Sequence, residues 1–248
     1  MKLAVLPAPT FDQHGFTLIE LAIVMFIVAL LLGGMLLPLS AQQDIRARQE
    51  TERALGEARD ALLGYVAVNV RLPCPDTDAD GAENGSAGAC AAQEGDFPYQ
   101  TIGTVRSDGW GYRLRYRVST TFASTIALTS VGDITVITRG DDPATAGTTE
   151  SKKESNLIAL APAVVISVGK NGYGGMPHAG GTRIVNPVGA DELLNSSGPK
   201  KVSRTPTPVK SGCGDDEVEG TPLCEFDDQL VWLSANTIFN RLVSSGKL

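Results

Sequence analysis

Histidine is nearly absent: the 248 residues contain only His14 and His178. Catalysis by a Ser or Cys nucleophile needs a base within reach. His178 sits between Pro177 and Ala179 in a glycine-rich stretch, with no nucleophile motif beside it. The sequence also lacks H-E-x-x-H, G-x-S-x-G and C-x-x-C, so the usual zinc-hydrolase, esterase and dithiol readings fall away. No enzyme is expected. Positive charge is in deficit as well, with 21 Lys and Arg against 28 Asp and Glu and a net charge of −7. Nucleic-acid affinity rests on Lys and Arg neutralising phosphates, so no nucleic-acid partner is expected.

Charge of either sign is missing from one long stretch. Between Phe16 and Leu39 the sole ionisable side chain is Glu20, and Leu21 to Leu39 runs 19 residues without a charged or strongly polar group. At 1.5 Å per residue such a helix covers roughly 30 Å, the thickness of a bilayer's hydrocarbon core. A buried soluble helix is rarely apolar on every side over that length, so the run predicts a membrane-spanning helix. Glu20 is costly there, about 2.5–3.5 kcal/mol at the bilayer centre and less near the interface, which asks for a partner or a task. A secretory signal ends its apolar stretch with a small-residue cleavage site. Here the persuasive junction, Gly15-Phe16, lies before the stretch, so the anchor is retained after cleavage. Cleavage there would place a new amino terminus about one helical turn from Glu20. The carboxylate could then pair with its own amine or with that of a staggered neighbour.

G-F-T-L-I-E-L-A-I-V, Gly15 to Val24, followed by the apolar run, resembles the N-terminal segment of type IV prepilins and type II secretion pseudopilins. The resemblance implies cleavage after Gly15 by a prepilin peptidase, methylation of Phe16, and assembly guided by Glu20. It also implies a pilin-like α+β fold, in which a long N-terminal helix packs on a head built around an antiparallel sheet. The partners implied are the peptidase, other pilin or pseudopilin subunits, the inner-membrane assembly machinery and membrane lipid. Localisation would be the inner membrane, single-pass, with the head in the periplasm or, after assembly, in a periplasmic or extracellular filament. The leader departs from the pattern in having only Lys2 as a fixed positive charge, with Asp12 near the cut. A head larger than in many major subunits, with irregular loops, leans toward a minor or specialised component, and pilus and pseudopilus remain open. A membrane-tethered periplasmic binding domain that does not polymerise is the alternative. Glu20 separates the two, since a simple anchor has no use for a charge there.

The expected organisation is a leader over 1–15, a long helix over 16–69 and a globular head over 70–248. The helix spans the membrane to about residue 39. Ile45, Leu55, Ala58, Leu62 and Val66 then recur at helical spacing with charges interleaved, so the helix should pack one stripe against the head. Its full length would be roughly 80 Å. Gly33, Gly34 and Pro38 predict a loosening of the helix, and Pro73 ensures its stop.

Four cysteines, Cys74, Cys90, Cys213 and Cys224, lie beyond the anchor in a compartment that permits disulfides. Three pairings are possible, and the local one, Cys74–Cys90 with Cys213–Cys224, is expected. Inside the first loop, D-T-D-A-D-G places Asp76, Asp78 and Asp80 ahead of Gly81. That resembles the opening of a calcium loop, although the twelfth position is Ala87 where a bidentate Glu belongs. Calcium ligation and a solvated acidic turn are both open, and no cofactor is required.

Asp108 to Val118, D-G-W-G-Y-R-L-R-Y-R-V, reads as a turn entering a strand. Leu114, Tyr116 and Val118 alternate with Arg113, Arg115 and Arg117, which predicts an apolar face inward and a solvated arginine face outward. An acidic neighbour is the other use of such a row. The Asp108-Gly109-Trp110-Gly111 segment also resembles the D-P-W-G of pseudopilins, with Gly109 in place of Pro. Further strands are expected at 125–129, 134–139, 163–168 and 229–233, loops at 140–155 and 186–222, and a terminal helix over 235–243 capped by Ser234. Ser167 to Gly175 contains G-K but lacks the order of a phosphate-binding loop, and is expected to be a turn ending a strand.

Overall fold

The computed structural model describes residues 17–138, 155–185, 190–198, 200–204 and 226–248, with the side chains of 32–41 and 190–191 outside the description. The elements in chain order are α1 (Leu18–Asn69), β1 (Gly85–Ser86), β2 (Ala89–Cys90), β3 (Glu94–Asp96), α2 (Tyr99–Ile102), β4 (Arg115–Val118) and α3 (Thr120–Ala123). They continue with β5 (Ile134–Thr138), β6 (Ser155–Ala161), β7 (Ala163–Ser167), α4 (Ala190–Ser196), β8 (Lys201–Ser203), β9 (Gln229–Leu233) and α5 (Ala235–Ser244). The class is α+β, with an N-terminal helix and sheets that are antiparallel apart from one parallel pair. Two compact units result, Met1–Ile45 and Arg46–Leu248.

In the first unit α1 stays helical across Gly33, Gly34 and Pro38. Leu18 to Leu31 are exposed along the whole helix surface, as expected of a run with no polar face. Among the described residues no helix is long and apolar enough to cross a membrane. The expected span, Leu21–Leu39, falls partly on residues 32–41, whose side chains are outside the description.

In the second unit a four-stranded antiparallel sheet has the order β3-β4-β7-β9. Its inner face carries Tyr116, Val118, Ala163, Val165 and Leu233, and these form one core with Leu55, Ala58, Leu62 and Val66 of α1. The 3.6-residue spacing of the helix stripe therefore meets the two-residue alternation of the strands. Each fully buried Leu or Val contributes roughly 1.5–3 kcal/mol. α5 closes the same core with Ile238 and Leu242. Ser234 caps it by accepting from Thr237 N–H at 3.2 Å, as its sequence predicts. The C-terminal end of α1 is set by Val70, whose positive φ of 57° turns the chain away while its N–H still reaches Val66 O at 2.8 Å.

The outer sheet face is covered too. A second, three-stranded sheet of order β6-β5-β8 packs Ile134, Val136 and Val202 on Val164 and Ile166. Within it β5–β6 is antiparallel and β5–β8 parallel. Three expectations are corrected here. Residues 125–129 form no strand; Ala127 N–H donates to Ser130 Oγ and Ser130 N–H to Ala127 O, which closes a turn instead. The loop expected over 140–155 lies outside the described residues except at Ser155, which begins β6, and the irregular region expected over 186–222 contains α4 and β8 among its described residues.

The third sheet, β1-β2, is a two-residue hairpin inside the Cys74–Cys90 loop. That disulfide is present, with Cα atoms 5.2 Å apart. The other expected pair, Cys213–Cys224, lies outside the described residues.

Candidate functional site

Gly15 and Phe16, the expected cleavage junction, lie outside the described residues, and the description begins at Thr17. Thr17 and Glu20 form a reciprocal helix cap. Glu20 N–H donates to Thr17 Oγ1 at 3.3 Å, while Thr17 N–H and Thr17 Oγ1 both donate to Glu20 Oε2 at 2.9 Å. Free N–H groups at a helix start are thereby satisfied, the arrangement known as a capping box. The role had a sequence signal, Thr17-x-x-Glu20 before an apolar run, which reasoning from charge cost alone passes over. The cap holds the carboxylate at the first turn of the helix.

The acidic loop of the second unit is closed by its own backbone. Asp76 accepts from Asp78 N–H at 3.2 Å, Ala79 N–H at 2.7 Å and Gly81 N–H at 2.7 Å. Asp80 accepts from Ala82 N–H at 2.7 Å, and Asp78 from Asn84 Nδ2 at 3.1 Å. One ligand oxygen from each of Asp76, Asp78 and Asp80 lies within 4.8 Å of the others, so the three carboxylates do converge. Arg113, however, places its guanidinium 3.8 Å from Asp76 and donates to Ala79 O at 2.6 Å. A cation is thus already at the loop's inner side. Burial pushes the Asp76 carboxyl up, against the Gly81 and Ala79 N–H groups that pull it down.

Glu83 is the clasp of the same loop. It receives both Arg71 nitrogens at 2.8 Å, Tyr65 Oη at 3.0 Å and Cys74 N–H at 2.9 Å, tying the end of α1 to the disulfide. Desolvation pushes its carboxyl upward, but Arg71, Cys74 N–H and Tyr65 outweigh that and hold it below the ordinary value. The same desolvation, together with Glu83, raises the Tyr65 phenol to about 12. A depressed folded-state pKa contributes stability above the unfolded value, about 4.3 for Glu, and loses it as pH falls through the folded value. Glu83→Gln is therefore expected to cost about 2–3 kcal/mol near neutral pH. Urea unfolding should show the gap from wild type narrowing below about pH 4; a gap independent of pH would mean that the charge of Glu83 is not what holds the clasp.

The arginine row is the largest correction. Arg113, Arg115 and Arg117 are 4%, 5% and 0% exposed, so they do not form a solvated face. Register explains it: Glu94 stands opposite Arg117 and Asp96 opposite Arg115 on β3. Arg115 pairs with Glu94, and Arg117 Nε lies 3.5 Å from the same carboxylate. Arg117 also donates to Lys201 O at 3.0 Å, Leu194 O at 2.6 Å and Asn195 O at 2.9 Å. Arg115 reaches Gly174 O at 3.2 Å, and Arg183 bridges Gly174 O and Asp96. The carbonyls of Gly174, Leu194, Asn195 and Lys201 thus each accept from a buried guanidinium. Burial pushes Arg117 down to about 10, with Glu94 opposing, so the group stays charged at neutral pH. The signal was the alternating pair Glu94-Gly95-Asp96, matched in spacing to the arginines.

Asp108 organises the D-G-W-G turn. It accepts from Trp110 N–H at 3.0 Å, Tyr112 N–H at 2.8 Å and Ser167 Oγ at 2.7 Å. Burial pushes its carboxyl up, partly offset by Ser167. Gly109 donates its N–H to Thr51 Oγ1 of α1 at 3.0 Å, and a Cβ there would collide with the Ala47 carbonyl. The departure from D-P-W-G is thereby explained, since Pro supplies neither the donor nor the space. A second acidic group, unmarked by spacing in the sequence, joins Glu192, Asp227 and Asp228 within 4.8 Å. Asn171 donates to Asp227 and Glu192, and Asn195 to Asp228. Desolvation pushes the Asp228 carboxyl well up, with Glu192 and Asp227 adding to it.

Residues 10–36 match the family described as "Prokaryotic N-terminal methylation motif". The match supports a type IV pilin- or pseudopilin-like family, whose members are structural subunits, and it covers the leader junction, Thr17, Glu20 and most of the apolar run. The motif implies processing by prepilin peptidase, membrane-anchored assembly and pilin partners. No curated protein and no solved structure matches the chain.

Proposed function

We propose that the chain is a non-enzymatic structural subunit, minor or specialised, of a type IV pilus or a type II secretion pseudopilus. It is cut between Gly15 and Phe16, methylated at Phe16, and assembled through its N-terminal helix, with Glu20 receiving a neighbouring subunit's amine. The observation that carries this reading is the motif match over residues 10–36, with Glu20 at the first turn of the helix. In support, α1 lays the stripe Leu55, Ala58, Leu62 and Val66 on an antiparallel sheet, as a pilin-like arrangement requires. The subunit is held in the inner membrane by one span, with its head in the periplasm until assembly. Mass spectrometry of the protein purified from its host is expected to find a methylated Phe16 as the first residue. An intact Met1 terminus in an assembling cell would overturn the proposal.

Calcium at Asp76, Asp78 and Asp80 belongs to this proposal as an accessory and not as a requirement. The converging oxygens favour it, and the Arg113 guanidinium opposes it. If these residues bind the ion, millimolar calcium raises the melting temperature of the chain, because a ligand that prefers the folded state stabilises it. Asp78→Ala then removes the rise. An unchanged melting temperature in wild type leaves the loop a self-closed turn.

A further inference from the structure

We draw no further inference here: the strongest candidate, the groove between α1 and the outer edge of β9 lined by Arg59, Arg204, Leu230 and Trp232, is a sheet edge for which nothing in the structure shows what covers it.

Discussion

A Glu20→Val subunit is expected to be cleaved normally, to accumulate in the membrane and to stay out of filaments. Removing the sole charge of the apolar segment eases insertion, since a carboxylate costs about 2.5–3.5 kcal/mol at the bilayer centre. Anchoring therefore improves or stays unchanged. Locally, the helix loses the Glu20 half of its cap and the two bonds to Thr17, worth about 1 kcal/mol. The second compact unit begins at Arg46, so its core contains no part of this cap. Assembly is affected differently. Truncating one partner of a buried, hydrogen-bonded charge pair costs about 2–5 kcal/mol, so incorporation should fall by more than about tenfold. Thr17→Val separates the two effects, because it removes the two hydroxyl bonds of the cap but keeps the carboxylate. Thr17→Val should assemble far better than Glu20→Val. Coexpression with wild type should restore partial incorporation of Glu20→Val, since its own amine can still meet a wild-type carboxylate. Filaments built from Glu20→Val alone at wild-type yield would sink the pairing mechanism.

Where one face of an element meets one core, the sequence is a good guide. The α1 stripe from Leu55 to Val66, β7, β9, the Ser234 cap and the start of α5 all follow from period and capping chemistry, whereas Ile45, expected in the same stripe, is exposed. Each of these depends on neighbours whose residue types announce themselves locally. β6 is different. Leu157 and Leu160 lie on opposite parities and both are exposed, because the β5–β6 register shifts twice along seven residues. Alternation is lost, and with it the signal. α4 spans seven residues, too few to show a helical period. It is fixed instead from outside, by Asn195 exchanging two 2.8 Å bonds with Ser203 and by Arg117 on its last carbonyls. The family motif was legible from Gly15, Phe16 and Glu20, while the Thr17 cap needed a pattern of caps and not of charges. The Glu192, Asp227 and Asp228 group joins residues more than thirty positions apart, which only the fold brings together.

Arg117 offers the sharpest test of that fold. Strict alternation along Arg113 to Val118 places it on a solvent face, where substitutions usually change stability by no more than about 0.5 kcal/mol. The structure instead buries it completely, beside Glu94 and against the carbonyls of Leu194, Asn195 and Lys201. Arg117→Ala removes one donor from each of those carbonyls and one of two guanidiniums from Glu94. Breaking a buried pair by removing one partner costs about 3–5 kcal/mol, and that is the expected loss in urea unfolding of the detergent-solubilised chain. Arg117→Lys keeps the charge but not the fork that reaches several acceptors at once, so it should recover only part of the loss. Glu94→Gln should destabilise in the same direction, and the double variant should lose less than the sum of the two single losses, because contacting residues couple. The α4–β8 segment, released from its donors, should also become the first site cut by a protease under native conditions. If Arg117→Ala unfolds at the wild-type urea concentration, the residue belongs to a solvated face and the buried ionic layer is wrong.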